Sequence, residues 1–141
     1  MRVKRSIATV TTALAASLAV GVTLAPAAAA GSGDGTCSSS DICVFNDLGH
    51  RKSDGYYDLG SPALKNFHGR YYFNDGAYIG DSISSWDAGS GTSCTGFKFW
   101  VNVDHRGASI QIAKGTEGNF SSPFTMPYND IISSYSKYGC P

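Results

Sequence analysis

Two kinds of apolar pattern divide this chain at about residue 30. Ahead of that point, residues 7–24 form an uncharged apolar run preceded by Arg2, Lys4 and Arg5. A cationic start, an apolar centre and the small-residue run PAAAAGSG read as a secretory signal peptide over residues 1–30, with cleavage after Ala28 or Ala30. Beyond it the apolar residues come in short runs: ICVFN (42–46), GRYYFN (69–74), FKFWVNV (97–103) and ASIQIAK (108–114). Clusters of Gly, Asn, Asp, Ser and Pro separate them, so these are strand signals. In the third run Phe97, Phe99, Val101 and Val103 fall on one face and Lys98, Trp100 and Asn102 on the other. Ile110 and Ile112 likewise alternate with Ser109 and Gln111, so period two dominates. SPALKNF (61–67) reads at most as one helical turn, with Ser61 as cap and Pro62 at its first position. The predicted class is all-β, a sandwich or barrel.

Residues 31–40, GSGDGTCSSS, hold nothing to bury and are expected to be a flexible lead-in. A single domain over residues 41–141 follows, since the remaining length suits one modest core. The whole chain balances eleven Lys and Arg against eleven Asp and Glu. Removing the three leader cations leaves the exported form near −3, which argues against nucleic acid or an anionic membrane as the main partner. The expectation is a secreted, extracellular monomer. Four cysteines, Cys37, Cys43, Cys94 and Cys140, allow three pairings in an oxidising compartment. We favour Cys37 with Cys43 and Cys94 with Cys140; no pair has the spacing of a zinc knuckle.

The chain also repeats itself. FNDLGHRK (45–52) parallels WVNVDHRG (100–107), and YIGDSISSW (78–86) parallels YNDIISSY (128–135). The two echoes occur in the same order, which implies a duplication with a first motif over about 41–91 and a second over about 94–140. Gly107 stands where a folded hairpin needs positive φ. Lys52 holds the matching place in the first motif, so the bend there is expected to be strained or different. Trp100 and His105 are placed to stack across the second turn.

An aromatic, four residues, an aromatic or His, then Gly, with a downstream N/D-N/D-x-x-S/T-S phrase, is the pattern of a βγ-crystallin Greek key. This sequence resembles that family. More narrowly, CSSSDIC followed by VFND and ending near YNDIISS resembles the secreted bacterial peptidase inhibitors of family I36. The resemblance implies a βγ-crystallin-like sandwich of two Greek key motifs, disulfide-braced. It also implies Ca²⁺ ligands at Asn129, Asp130, the carbonyl of Ile131 and Ser133, and at Asp81, the carbonyl of Ser82 and Ser84. A hard cation accepts such neutral oxygens, though few carboxylates mean modest affinity. Gly80 offers no side-chain oxygen, so its site is expected to be the weaker.

The same resemblance implies inhibition of an extracellular peptidase of metalloproteinase type, through a loop held extended. Residues 51–67 and 115–127 are the candidate loops, the second expected to expose Phe120, Phe124 and Met126; no inhibitory motif assigns a reactive residue to either. One alternative is an extracellular calcium-binding structural or interaction module without inhibitory activity. Another is a small ribonuclease-like enzyme using Glu117, His105 and Arg106, for which no spacing speaks. His50 and His105 fill packing positions of the repeat, no G-x-S-x-G is present, and the expectation is that the protein is not an enzyme.

Overall fold

The computed structural model describes residues 31–141; the expected signal peptide lies outside the described residues. Seven strands form: β1 (Ile42–Phe45), β2 (Tyr56–Leu59), β3 (Ser85–Ala88), β4 (Gly96–Asn102), β5 (Arg106–Ala113), β6 (Glu117–Asn119) and β7 (Ser134–Tyr138). They build two antiparallel sheets, one ordered β2-β1-β3-β6 and the other β5-β4-β7. The fold is therefore all-β, as the alternation predicted. No helix among the described residues is long and apolar enough to cross a membrane.

The halves interlock by exchanging a segment. β6 belongs to the second half yet pairs with β3 of the first, Ser85 opposite Asn119. In return Leu64 of the first half bridges to Tyr135 on β7. The closing bonds match: Phe120 N–H donates to the Ser84 carbonyl at 2.9 Å, and Phe67 N–H to the Ser133 carbonyl at 2.9 Å. Both phenylalanines are buried. Each therefore anchors its own half in the sheet of the other, burying an aromatic side chain of the kind that dominates small cores.

The core lies between the sheets. Ile42 and Val44 of β1 face Phe97 and Phe99 of β4, all fully buried, with Ile83 and Ile132 at corresponding places in the repeat. Tyr135 is also fully buried, and its hydroxyl donates to the carbonyls of Leu59 and Gly60 at 2.9 and 2.8 Å. Burial pushes this phenol well above its ordinary range, so it remains a neutral donor.

Residues 31–40 differ from the loose lead-in expected of them. The Asp58 carboxylate, with no exposed surface, accepts the N–H groups of Gly33, Asp34 and Gly35 at 2.7, 3.1 and 2.9 Å. A buried carboxylate must be paired or hydrogen-bonded, and this strap supplies the donors. Gly33 and Gly35 have φ of 79° and 82°, and a Cβ on Gly33 would lie 2.1 Å from the Tyr57 hydroxyl. The polar composition thus serves the backbone of the strap rather than disorder.

Two further expectations change. Residues 61–67 form no helical turn: Leu64 exchanges backbone bonds with Tyr135 at 3.0 and 2.8 Å, and Ser61 pairs with Gly31. Sheet pairing satisfies groups a turn would have left open. Residues 69–74 form no continuous strand either; they enter a tight bend with Asn74 and Gly76 at positive φ, held by isolated bridges of Tyr71 to Tyr78 and of Phe73 to Tyr56. Conversely β2, β3 and β7 run through YYDL, SWDA and SYSKY, which lack a strong apolar alternation.

Candidate functional site

The repeated phrases meet at the junction of the two halves. Ser84 Oγ donates to Asp130 Oδ1 at 3.3 Å, and Ser133 Oγ donates to Asp81 Oδ1 at 2.9 Å. Each aspartate therefore receives the serine of the other motif. The backbone repeats the exchange: Asp81 N–H donates to the Ile132 carbonyl at 3.1 Å, and Asp130 N–H to the Ile83 carbonyl at 3.3 Å. Both aspartates sit at left-handed φ, 60° and 55°. Asp and Asn tolerate this conformation better than most residues. Of the residues singled out from the sequence, Asp81, Ser84, Asp130 and Ser133 thus come together as two crossed pairs.

The pairs differ in their flanks. Beside Asp130, Asn129 donates from Nδ2 to Asp130 Oδ2 at 2.6 Å, while its Oδ1 is buried and without a partner. A buried amide oxygen beside a carboxylate and a hydroxyl suits a hard cation. Beside Asp81 stands Gly80, where a Cβ would lie 2.8 Å from His68 Nδ1. The first pair thus lacks the flanking side-chain oxygen that Asn129 gives the second, and the His68 ring stands next to the vacant Cβ position. The Ser82 hydroxyl turns back to the carbonyls of Tyr78 and Ile79, and Ile131 is 41% exposed while Ile132 is in the core. No cluster of three or more His, Cys, Asp or Glu side chains with metal-binding geometry occurs among the described residues. Each pair holds one carboxylate, so a cation there would depend on neutral oxygens.

Between each anchor phenylalanine and its aspartate runs a loop, and here the halves diverge. In the first, residues 68–80 fold back on the core: Tyr72 and Ile79 are buried, and Phe73 stacks on Tyr57 at 5.5 Å and 8°. Its exposed aromatics, Tyr71 and Tyr78, lean on each other with centroids 4.7 Å apart and hydroxyls at 3.2 Å. In the second, residues 121–129 leave Phe124 89% and Met126 58% exposed. This loop is nevertheless tightly built. Met126 N–H donates to the Ser122 carbonyl at 2.7 Å, and Thr125 Oγ1 donates to the Asn119 carbonyl at 2.9 Å. At one end Phe120, expected to be exposed, is instead buried in the core, where it packs on Trp86 at 4.7 Å. At the other, Tyr128 packs against the core and donates to the Ser109 carbonyl at 2.9 Å. The extended loop expected over 115–127 is instead strand β6 followed by turns and a short 3-10 helix, Met126–Tyr128. Residues 51–67, the other candidate loop, contain a 3-10 helix, Lys52–Asp54, and strand β2, and beyond them Leu64 is bridged to Tyr135.

The histidines of the repeat are packing groups. His105 lies 4.6 Å from the Trp100 ring and His50 5.6 Å from Phe45, and their Nε2 atoms bond the carbonyls of Tyr135 and Gly118. Glu117 stands on β6 in one sheet, whereas His105 and Arg106 occupy the hairpin of the other. The arrangement does not gather them as an acid–base set. The cysteines pair as Cys37–Cys43 and Cys94–Cys140, in keeping with an oxidising environment.

No protein-family model matches the chain, and no curated protein matches it. Among solved structures it is similar to one concerned with the evolution of the eye-lens βγ-crystallin domain fold. That likeness has a TM-score of 0.55 at 15% identity and covers 72% of this chain and 88% of that one. A βγ-crystallin from an archaeon scores 0.46 at 16% identity, covering 71% of this chain and 99% of that one. The N-terminal domain of protein S scores 0.46 at 18%, covering 72% and 98%. At such identities the likeness is one of fold, and the fold is βγ-crystallin-like.

Proposed function

We propose that the protein is an exported inhibitor of an extracellular peptidase, built on a βγ-crystallin-like scaffold and contacting its target through residues 121–128. The observation that supports this reading is Phe124, 89% exposed at the tip of a loop fixed at both ends. A loop already ordered before contact loses little conformational entropy on binding, which is what a tight inhibitor needs. The equivalent loop of the first motif covers its apolar residues or pairs them, so the duplicated fold itself imposes no exposed phenylalanine here. The resemblance to family I36 points to a metalloproteinase-type target. Titration against a panel of secreted metallo- and serine peptidases tests the reading: stoichiometric loss of activity of at least one is expected, and a wholly unaffected panel would overturn it.

A second reading is favoured by the crossed Asp–Ser pairs: binding of Ca²⁺, with or without inhibition. Asp130, Asn129, Ser84 and the Ile131 carbonyl would hold the better site, and Asp81, Ser133 and the Ser82 carbonyl the poorer. The ion would tie the two halves together, with affinity on the order of 10⁻⁴ to 10⁻³ M for so few charges. Calorimetric titration of Ca²⁺ checks it. Asp130→Ala is expected to reduce the binding heat more than Asp81→Ala; absence of any heat in the wild type at millimolar Ca²⁺ removes the reading.

A further inference from the structure

We infer that Tyr71 and Tyr78 form a site of oxidative cross-linking, closed to dityrosine by hydrogen peroxide and a haem peroxidase, which staples the loop of residues 68–80. The backbone sets the pair up. Tyr72 N–H donates to the Ala77 carbonyl at 2.9 Å and Ile79 N–H to the Arg70 carbonyl at 3.1 Å. Tyr71 and Tyr78 therefore face each other as an antiparallel pair with no hydrogen bond of its own, the kind in which side chains stand closest. The next residue on each arm, Tyr72 and Ile79, is buried, which turns Tyr71 and Tyr78 outward together. Ser82 steadies the second arm by donating its hydroxyl to the Tyr78 carbonyl.

Contact and access coincide at these two rings. Their hydroxyls are 3.2 Å apart and their centroids 4.7 Å, which brings the ortho carbon of one within reach of the other's. Tyr71 is 49% and Tyr78 59% exposed. Among the described residues no other two tyrosine rings are in contact. Tyr57, Tyr72 and Tyr135 are buried, and Tyr56 and Tyr128 donate their hydroxyls to the carbonyls of Gly35 and Ser109. The peroxidase takes one electron from each phenol, and each phenol releases its proton. The two radicals join by one carbon–carbon bond between ortho positions, and each ortho hydrogen then moves to its own ring's oxygen, restoring both phenols. In sum two hydrogens leave as two protons and two electrons, which reduce one hydrogen peroxide to two waters. Rings already in contact couple without a bimolecular encounter, which favours this bond over links between molecules. The disulfides leave residues 44–93 without a covalent brace, and the new bond supplies one there.

The test oxidises the purified protein with a haem peroxidase and limiting hydrogen peroxide. A monomer with dityrosine fluorescence, lighter by two hydrogen atoms, is expected. Cleavage before Asp58, Asp75 and Asp81 separates residues 58–74 from residues 75–80 in the untreated chain and should leave them joined after oxidation. Tyr71→Phe and Tyr78→Phe should each lower the yield of this monomeric product about tenfold or more, with melting before oxidation as in wild type. Dityrosine found only between molecules, a yield undiminished in Tyr71→Phe, or oxidation without dityrosine overturns the inference. The cross-linked monomer should also melt about 4–8 °C higher, since the bond restricts the unfolded chain; an unchanged Tm overturns the stapling role.

Discussion

The stretch from Phe67 to Asp81 and the stretch from Phe120 to Asp130 occupy the same place in the two halves. Each begins at a buried phenylalanine that crosses to the opposite sheet and ends at an aspartate with left-handed φ. The first folds its apolar residues inward and pairs Tyr71 with Tyr78. The second, shorter by four residues, turns Phe124 and Met126 outward. Since the ends are held in the same way, the ends do not dictate which way the middle faces. The difference is the ground on which the proposed target contact is given to residues 121–128.

The strongest way to break this comparison is at the anchors. Phe67→Ala and Phe120→Ala each remove a fully buried ring and are expected to cost about 3–5 kcal/mol in urea unfolding. Phe124→Ala should stay within about 0.5 kcal/mol of wild type, because it removes nothing from the core. A large loss at Phe124 would mean that the loop is structural after all. The disulfides come next. Cys94–Cys140 closes a separation of 46 residues across the second half and Cys37–Cys43 one of only 6. On chain entropy, replacing the first pair by alanine costs about 4 kcal/mol and the second about 2 kcal/mol. Equal losses would show that strain or strap contacts outweigh loop length.

The hairpins sharpen the contrast at smaller scale. In the second motif Gly107 has φ of 80°, and an added Cβ would meet Asn102 Nδ2 at 2.6 Å and Val101 Cγ2 at 2.8 Å. Gly107→Ala should cost about 1–2 kcal/mol. Counted between the paired residues Phe45–Tyr56 and Trp100–Ser109, the first hairpin is longer by two residues, and it solves the turn differently. Lys52 opens a 3-10 helix, Gly55 takes φ of 99°, and Arg51 bridges Asp47 at 2.8 Å and Asp54 at 2.6 Å. Lys52→Gly is therefore expected to lose about 0.5–1 kcal/mol through chain entropy rather than gain stability. A gain on denaturation would mean that Lys52 strains the bend.

This pattern explains what was legible in the sequence. Wherever a position answers to local backbone geometry or to period two, as at Gly107 with its positive φ or at Phe97 and Phe99 in the core, the residue type announced its role, whereas the bulge after Trp100 takes Val101 out of the alternation. The exchange of segments between halves was not legible, because Leu64 and Phe67 find their partners, Tyr135 and Ser133, some 70 residues away at and just before β7. The strap was missed for a related reason. Gly, Ser and Asp spell disorder in isolation, and only the buried Asp58 turns them into a bonded structure. Gly80 was visible as a missing side-chain oxygen, but that His68 stands beside it emerges only from the fold. Exposure of Phe124 was suggested by its Pro- and Gly-rich setting, whereas the wound form of the loop depends on Thr125 reaching Asn119.

The most direct test of the account compares wild type with Phe124→Ser in the peptidase titration, with thermal melts run alongside. The account predicts that wild type inhibits at least one peptidase stoichiometrically. It also predicts that the variant loses about 100-fold or more in affinity, as expected of a central aromatic contact, with Tm unchanged. Equal inhibition by both proteins would place the contact elsewhere on the scaffold and contradict the role given to residues 121–128.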